Sequence, residues 1–255
     1  MKNLHKSYYK DYFNGADFSP LLEDKSAKMS NVKSKNDSFC SRGLLFQLDK
    51  NPCVNATTEL KIQYPGLVTG IGITHEAKIE GEFKLGVHFD WTYGMPVIYG
   101  SSVKGVLRSA FKDGYVDAGM IAKVNKENPS INIPEWVGKP ENRGDIIDEI
   151  FEGGKKSIYE RDIFFDAVIK HADPKGRILC SDSITPHGEN PLKNPIPITF
   201  MKIAPGCTLE FRFKLVTSNI DGKEFNAEQK KALFKEILKT VGVGAKTNVG
   251  YGQLE

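Results

Sequence analysis

The clearest pattern in the chain is the alternation of Cys207, Leu209, Phe211, Phe213 and Leu215 with Thr208, Glu210, Arg212 and Lys214, which predicts a strand with one wet face. A helix follows the turn at 218–222. Asn226 and Gln229 make a capping box, and Leu233, Phe234, Ile237, Leu238 and Val241 form an apolar stripe that stops at Gly242. A closing strand is expected over 249–254.

Upstream, Ile79, Phe83, Leu85, Val87 and Phe89 alternate with Glu80, Glu82, Lys84, His88 and Asp90, predicting a half-buried strand. Gly94 and Pro96 mark a turn. Beyond it Val103, Val106, Leu107, Ala110 and Phe111 share one helical face, with Ser101 or Ser102 as the N-cap. Residues 160–169 and 176–183 read as strands, 145–151 as a short helix, and 4–13 as a helix with an aromatic face. The polar stretch 23–38 holds too few apolar side chains to offset its ordering entropy and reads as a mobile loop. Residues 125–144 and the Pro-rich ITPHGENPLKNPIP read as surface connections.

Reduced to elements, the order is β-α-β-β-α-β. This is an α+β, ferredoxin-like (RRM-like) fold over 61–255, with an insertion around 113–157 and a partly mobile N-terminal extension over 1–60. The topology predicts that the start of the first helix and the exit of the second lie near one another.

Length and composition set the class. At 255 residues, 40% hydrophobic and 26% charged, the chain has material for a buried core. No stretch approaches the length of an apolar membrane span, and the polar start MKNLHKSYYKDYF is no secretory signal, so a cytoplasmic protein is expected. Cys40, Cys53, Cys180 and Cys207 show no C-x-x-C spacing, so buried free thiols are expected, with no metal and no cofactor. The net charge of +3 makes any polyanion site a local matter.

Two stretches carry candidate chemistry. In GVGAKTNVGYG, Gly242, Gly244, Gly250 and Gly252 surround Lys246 and Thr247, a composition that lets amides and a cation face a phosphate. It is not a Walker A loop, because Ala245 precedes the lysine and the loop follows a helix. Nor does it fit the dinucleotide fingerprint. A polymeric phosphate chain fits better, and a plain glycine-rich turn is the alternative. The second stretch is GSSVKGVLRS, where the free amides of a helix start attract anions and Lys104 and Arg108 project from one side. Two solvated basic residues on an amphipathic helix are the alternative there.

These two stretches resemble signature segments of the RAMP superfamily, the RNA-binding proteins of CRISPR systems. GVGAKTNVGYG is similar to its glycine-rich loop, and YGMPVIYGSSVKGVLRS to its PxIPGSSLKGxLR segment, with Tyr99 where Pro is usual. TGIG at 69–72, DEIFEG at 148–153, FFDAV at 164–168 and DSITPHGE at 182–189 agree further; the last, followed by PIPITFMKI, most resembles the sixth-named subunit family of the type III-B (Cmr) effector. The resemblance spans roughly 67–255. It implies a non-catalytic subunit that holds the 3′ part of a guide crRNA, with target RNA and other Cmr subunits as partners and no membrane. It carries RNA contact to Ser101, Ser102, Lys104, Gly105, Arg108, Gly242, Gly244, Lys246 and Thr247. Phosphate contacts blind to sequence suit guides of any sequence. Tyr251 is placed either on a base or in the core.

The alternative is a RAMP-type endoribonuclease. His75, His88, His171 and His187 are its candidate acid–base groups, and Asp166, Asp173 and Asp182 its candidate carboxylates. His88 beside Asp90 reads equally as a surface pair or a site. His187 and Glu189 near Asp182 form the one cluster that could hold a metal, on a Pro-rich loop.

Overall fold

A computed structural model of the chain describes residues 3–23, 25–44, 51–70, 79–83, 86–154, 156–185 and 197–255. The chain starts with α1 (Leu4–Tyr9), a 3-10 turn over Asp11–Phe13, the short antiparallel pair β1 (Ala16–Asp17) and β2 (Lys28–Met29), and α2 (Val32–Cys40). The aromatic face expected over 4–13 is buried at Tyr8 and Tyr12. Helix α2 overturns the loop expected over 23–38. Its anchors come from distant residues: Phe39 lies 6.0 Å from both Tyr8 and Tyr12. The Asn36 side chain accepts from Tyr12 Oη at 2.7 Å and donates to the Gly81 carbonyl at 2.8 Å.

The main sheet consists of β3 (Ala56–Lys61), β4 (Val97–Ile98), β5 (Ile163–Phe164), β6 (Ala167–His171) and β9 (Thr208–Lys214), in the antiparallel order β3-β9-β6-β4 with β5 beside the end of β9. Register is set by Thr58 opposite Phe211 and Val168 opposite Glu210. The closing segment lies on the far side of β3 through a bridge from Leu254 to Ile62, and Lys61 and Glu255 exchange backbone hydrogen bonds of 2.8 and 2.9 Å. The order closing segment, β3, β9, β6 is the ferredoxin-like one. Strand β3, which begins before the expected domain start at residue 61, is part of this sheet.

Helices α3 (Gly100–Lys112) and α6 (Ala227–Val241) pack together over the sheet. The predicted capping box starts α6, and Phe234 reaches 5.8 Å from Phe213 and 5.9 Å from Phe164. Between α3 and β5 run α4 (Ala118–Glu127) and α5 (Arg143–Ile147), the latter continued by a π-helical turn over Asp148–Glu152 that stacks Phe151 on Phe164 at 5.5 Å. Strands β7 (Leu179–Ile184) and β8 (Ile198–Ile203) form a separate pair, and β10 (Ser218–Ile220) with β11 (Lys223–Phe225) a hairpin where a plain turn was expected. Ile79, Phe83, Val87 and Phe89 are buried as expected, but Glu82 from the face expected to be wet is buried too, and Leu85 lies outside the described residues. The four apolar residues form no ladder among the described residues beyond a bridge from Phe89 to Pro96, and Gly81 between the first two adopts φ +77°.

Candidate nucleic-acid interface

The glycine-rich loop leaves α6 at Gly242 and lies along the segment that follows β3. Ala245 N donates to the Val68 carbonyl at 2.7 Å, Gly252 N to Gly66 O at 2.9 Å, and Val243 N to Gly252 O at 3.0 Å. These contacts explain two glycines. Gly244 at φ +92° and Gly252 at φ +72° leave no room for a Cβ, which would meet the carbonyls of Val68 and Val243 respectively. The close approach predicted for these glycines is thus made by the protein's own backbone.

The remaining amides point elsewhere. Lys246 adopts the left-handed conformation (φ 61°, ψ 31°) and caps a 3-10 turn over Thr247–Val249, whose closing bonds run from Val249 N and Tyr251 N to Lys246 O. The amides of Lys246, Thr247 and Asn248 make no hydrogen bond to a described residue, and Lys246 forms no ion pair with one. Successive amides across a left-handed and a right-handed residue form a concave nest suited to an anion. Sequence reasoning pointed to Lys246 and Thr247 but not to Asn248, since a free amide has no side-chain signature.

Tyr251 is only 8% exposed, which decides between its two expected roles. Its hydroxyl donates to Asp182 Oδ2 at 2.8 Å, its ring packs edge-on to Phe200 at 5.9 Å, and Lys202 Nζ lies 5.4 Å from its centroid. A ring so enclosed has no open face for a base. Burial and the Asp182 carboxylate push its hydroxyl up to about 12. Burial pushes Asp182 upward, but hydrogen bonds from Lys202 and Tyr251 outweigh it and hold the carboxyl below its ordinary range.

At the second predicted stretch the helix starts at Gly100, one residue before the serines, and Tyr99 precedes it without a side-chain cap. Asp166 Oδ1 accepts from Gly100 N at 2.6 Å, so the protein's own carboxylate takes the first free amide. Ser101, Ser102 and Gly105 are exposed and Lys104 is half-buried. Ser101, Lys104, Arg161 and Glu152 are among the residues lining a cleft of about 310 Å³ beside this turn. Lys104 forms no ion pair among the described residues, whereas Arg108 Nε donates to Glu152 at 2.8 Å.

No hydrogen bond among the described residues joins the two stretches directly. Strand β4 runs opposite to β3, so α3 starts level with Phe164 and Phe213, where β3 begins, while the glycine-rich loop docks past Ile62, where β3 ends. The extra strand reverses the chain before the helix. A continuous path nevertheless joins them: Ala245 pairs with Val68, the Thr69 hydroxyl accepts from His88 N at 2.5 Å, and the His88 ring stacks on Tyr99 at 5.0 Å. Among the described residues the open face of the sheet offers no aromatic platform. Glu210 there pairs with Lys170 at 2.8 Å and Arg212 at 2.6 Å.

The other nuclease candidates differ in their settings. Asp173 accepts from Arg177 at 2.8 Å and from two backbone amides. Burial lowers the His88 pKa. His171 is exposed at the end of β6. His75, His187 and Glu189 lie outside the described residues, and no metal-holding cluster occurs among those described. All four cysteines are free thiols, Cys207 buried but Cys53 exposed, which corrects the expectation of uniform burial. No described helix is long and apolar enough to cross a membrane.

The family model described as the RAMP superfamily matches residues 59–255. No curated protein matches the sequence. Among solved structures, similar chains include one from the type III-B Cmr-beta complex bound to cognate target RNA, at 20% identity and TM-score 0.48, covering 78% of this chain and 57% of that one. Cmr6 from Pyrococcus furiosus is similar at 25% identity and TM-score 0.42, covering 80% of this chain and 98% of that one. A chain of Cmr-beta in its apo state is similar at 12% identity and TM-score 0.41, covering 80% of this chain and 97% of that one. The chain therefore spans little more than half the length of the first of these.

Proposed function

The chain belongs to the RAMP superfamily, and from that premise we propose that it is a non-catalytic, guide-RNA-binding subunit of a type III-B CRISPR effector acting in the cytoplasm. Its partners are the 3′ part of the crRNA, target RNA and neighbouring Cmr subunits. One observation carries the reading: the glycine-rich loop is clamped to Gly66 and Val68 along one side, and the amides of Lys246, Thr247 and Asn248 and the Lys246 ammonium have no partner among the described residues. A site built of amides and one cation recognises the phosphate and ignores the base, as a holder of varied guides requires. Lys104 with exposed Ser101 and Ser102 supplies a second contact along the path through His88 and Tyr99. Arg108 contributes only by leaving Glu152.

The test is RNA binding by the full chain as a function of salt. Replacing Lys104 and Lys246 by Ala is expected to lower affinity and to reduce the salt slope by roughly 0.7 for each phosphate no longer neutralised. Unchanged affinity and slope would refute the reading. The nuclease reading keeps one specific observation, the stacked pair His88 and Tyr99 near Asp166 and Asp90. Incubating the protein with labelled repeat RNA, with and without EDTA, decides it: cleavage that disappears in His88→Ala would favour an endoribonuclease.

A further inference from the structure

We propose that Tyr64 is a stacking platform for one base of the RNA strand held at the glycine-rich loop, an inference that rests on the RNA-binding reading above. Tyr64 is 85% exposed, the most exposed aromatic side chain among the described residues, and its hydroxyl bonds to none of them. The backbone beneath it is nevertheless fixed. Gln63 N donates to Gln253 O at 2.9 Å and Gly66 N to Gln63 O at 2.9 Å, while Pro65 Cδ lies 3.7 Å from where a Cβ on Gly250 would stand. The segment 62–68 is thus the inner wall of the loop. Tyr64 is the aromatic side chain that leaves this wall for solvent.

Its surroundings are those of a single-strand site. Gly250 N closes the 3-10 turn onto Thr247 O at 3.1 Å, so the free amides and Lys246 stand one turn from the residue that Pro65 packs against. Val249, 63% exposed, adds an apolar neighbour at Gly250. A cationic nest that takes a phosphate and an open ring beside it, on a backbone already ordered, reproduce the two elements of sequence-tolerant single-strand binding. The enclosed ring of Tyr251 cannot supply the second element, and the charged sheet face does not.

The experiment compares the full-length wild type with Tyr64→Leu, Tyr64→Phe and Lys246→Ala, binding labelled oligo(U) and, separately, inorganic polyphosphate. Tyr64→Leu is expected to weaken oligo(U) binding about 5- to 100-fold with an unchanged salt slope, to leave polyphosphate binding unchanged, and to be rescued by Tyr64→Phe. Lys246→Ala is expected to weaken both ligands. Unchanged oligo(U) affinity in Tyr64→Leu beside a weakened Lys246→Ala overturns the stacking role and leaves the RNA reading standing. An equal loss for both ligands in Tyr64→Leu also overturns stacking, since polyphosphate has no base. Failure of the wild type to bind oligo(U) overturns both readings together.

Discussion

The ammonium of Lys230, completely buried, lies 2.6 Å from Asp162 Oδ2 and donates also to Val216 O and Ser218 Oγ at 2.8 Å. One side chain on α6 thereby holds the segment before β5 and the hairpin β10–β11. Burial pushes the Asp162 carboxyl up and the Lys230 ammonium down, each toward its neutral form. The pair's value therefore lies in saturating its hydrogen bonds. Lys230→Ala strands a buried carboxylate and is expected to cost about 3–5 kcal/mol in urea unfolding. Lys230→Met combined with Asp162→Leu is expected to recover most of that loss; an unchanged midpoint for Lys230→Ala would contradict the arrangement.

Gly105 sits in the interior of α3, exposed, with open space where a Cβ would stand. Nothing among the described residues requires a glycine there, and glycine costs a helix interior about 1 kcal/mol relative to alanine. Gly105→Ala is expected to raise the thermal midpoint and, if Gly105 lies on the proposed RNA path, to weaken RNA binding, because the added methyl would meet the RNA backbone. A raised midpoint with unaltered RNA affinity would remove Gly105 from the interface.

Gly244 behaves oppositely. Its positive φ and the Val68 carbonyl both exclude a side chain, so Gly244→Ala is expected to cost roughly 1–3 kcal/mol and to release the bond from Ala245 N to Val68 O. Amide exchange at Ala245 should accelerate, and RNA affinity should fall as the nest loses its clamp. Protection at Ala245 equal to wild type would show that the seam does not hold the loop.

Asp182 gives a pH signature. Its native pKa is depressed, so the stability it contributes is present above the unfolded value of about 3.9 and is lost as pH falls through the lower native value. Asp182→Asn is expected to reduce stability near neutrality and to flatten the decline below about pH 4. A mutant whose acid limb parallels the wild type would show that Lys202 and Tyr251 do not stabilise the ionised carboxylate.

Much of the fold was legible because several elements satisfy themselves locally. The capping box of Asn226 and Gln229, the stripe of Leu233, Phe234, Ile237 and Leu238, and the alternation along β9 each report burial through their own period. Helix α2 was not legible, since its anchors Phe39 and Asn36 depend on Tyr8, Tyr12 and Gly81 elsewhere in the chain. The two residues of β4 are too few for a period, yet their direction relocates the start of α3.

The candidate site divides in the same way. By itself the order of residues determined that a glycine-rich loop with Lys246 and Thr247 follows the last helix and that a basic helix start lies upstream, because glycine, charge and helical period are local properties. Only the tertiary structure decided which glycines serve the protein's own backbone, that Tyr251 is enclosed and Tyr64 open, that Asp166 occupies the Gly100 amide, and that Arg108 is paired. Those outcomes depend on what another part of the chain places within a few ångströms, and no single stretch of sequence carries that distance.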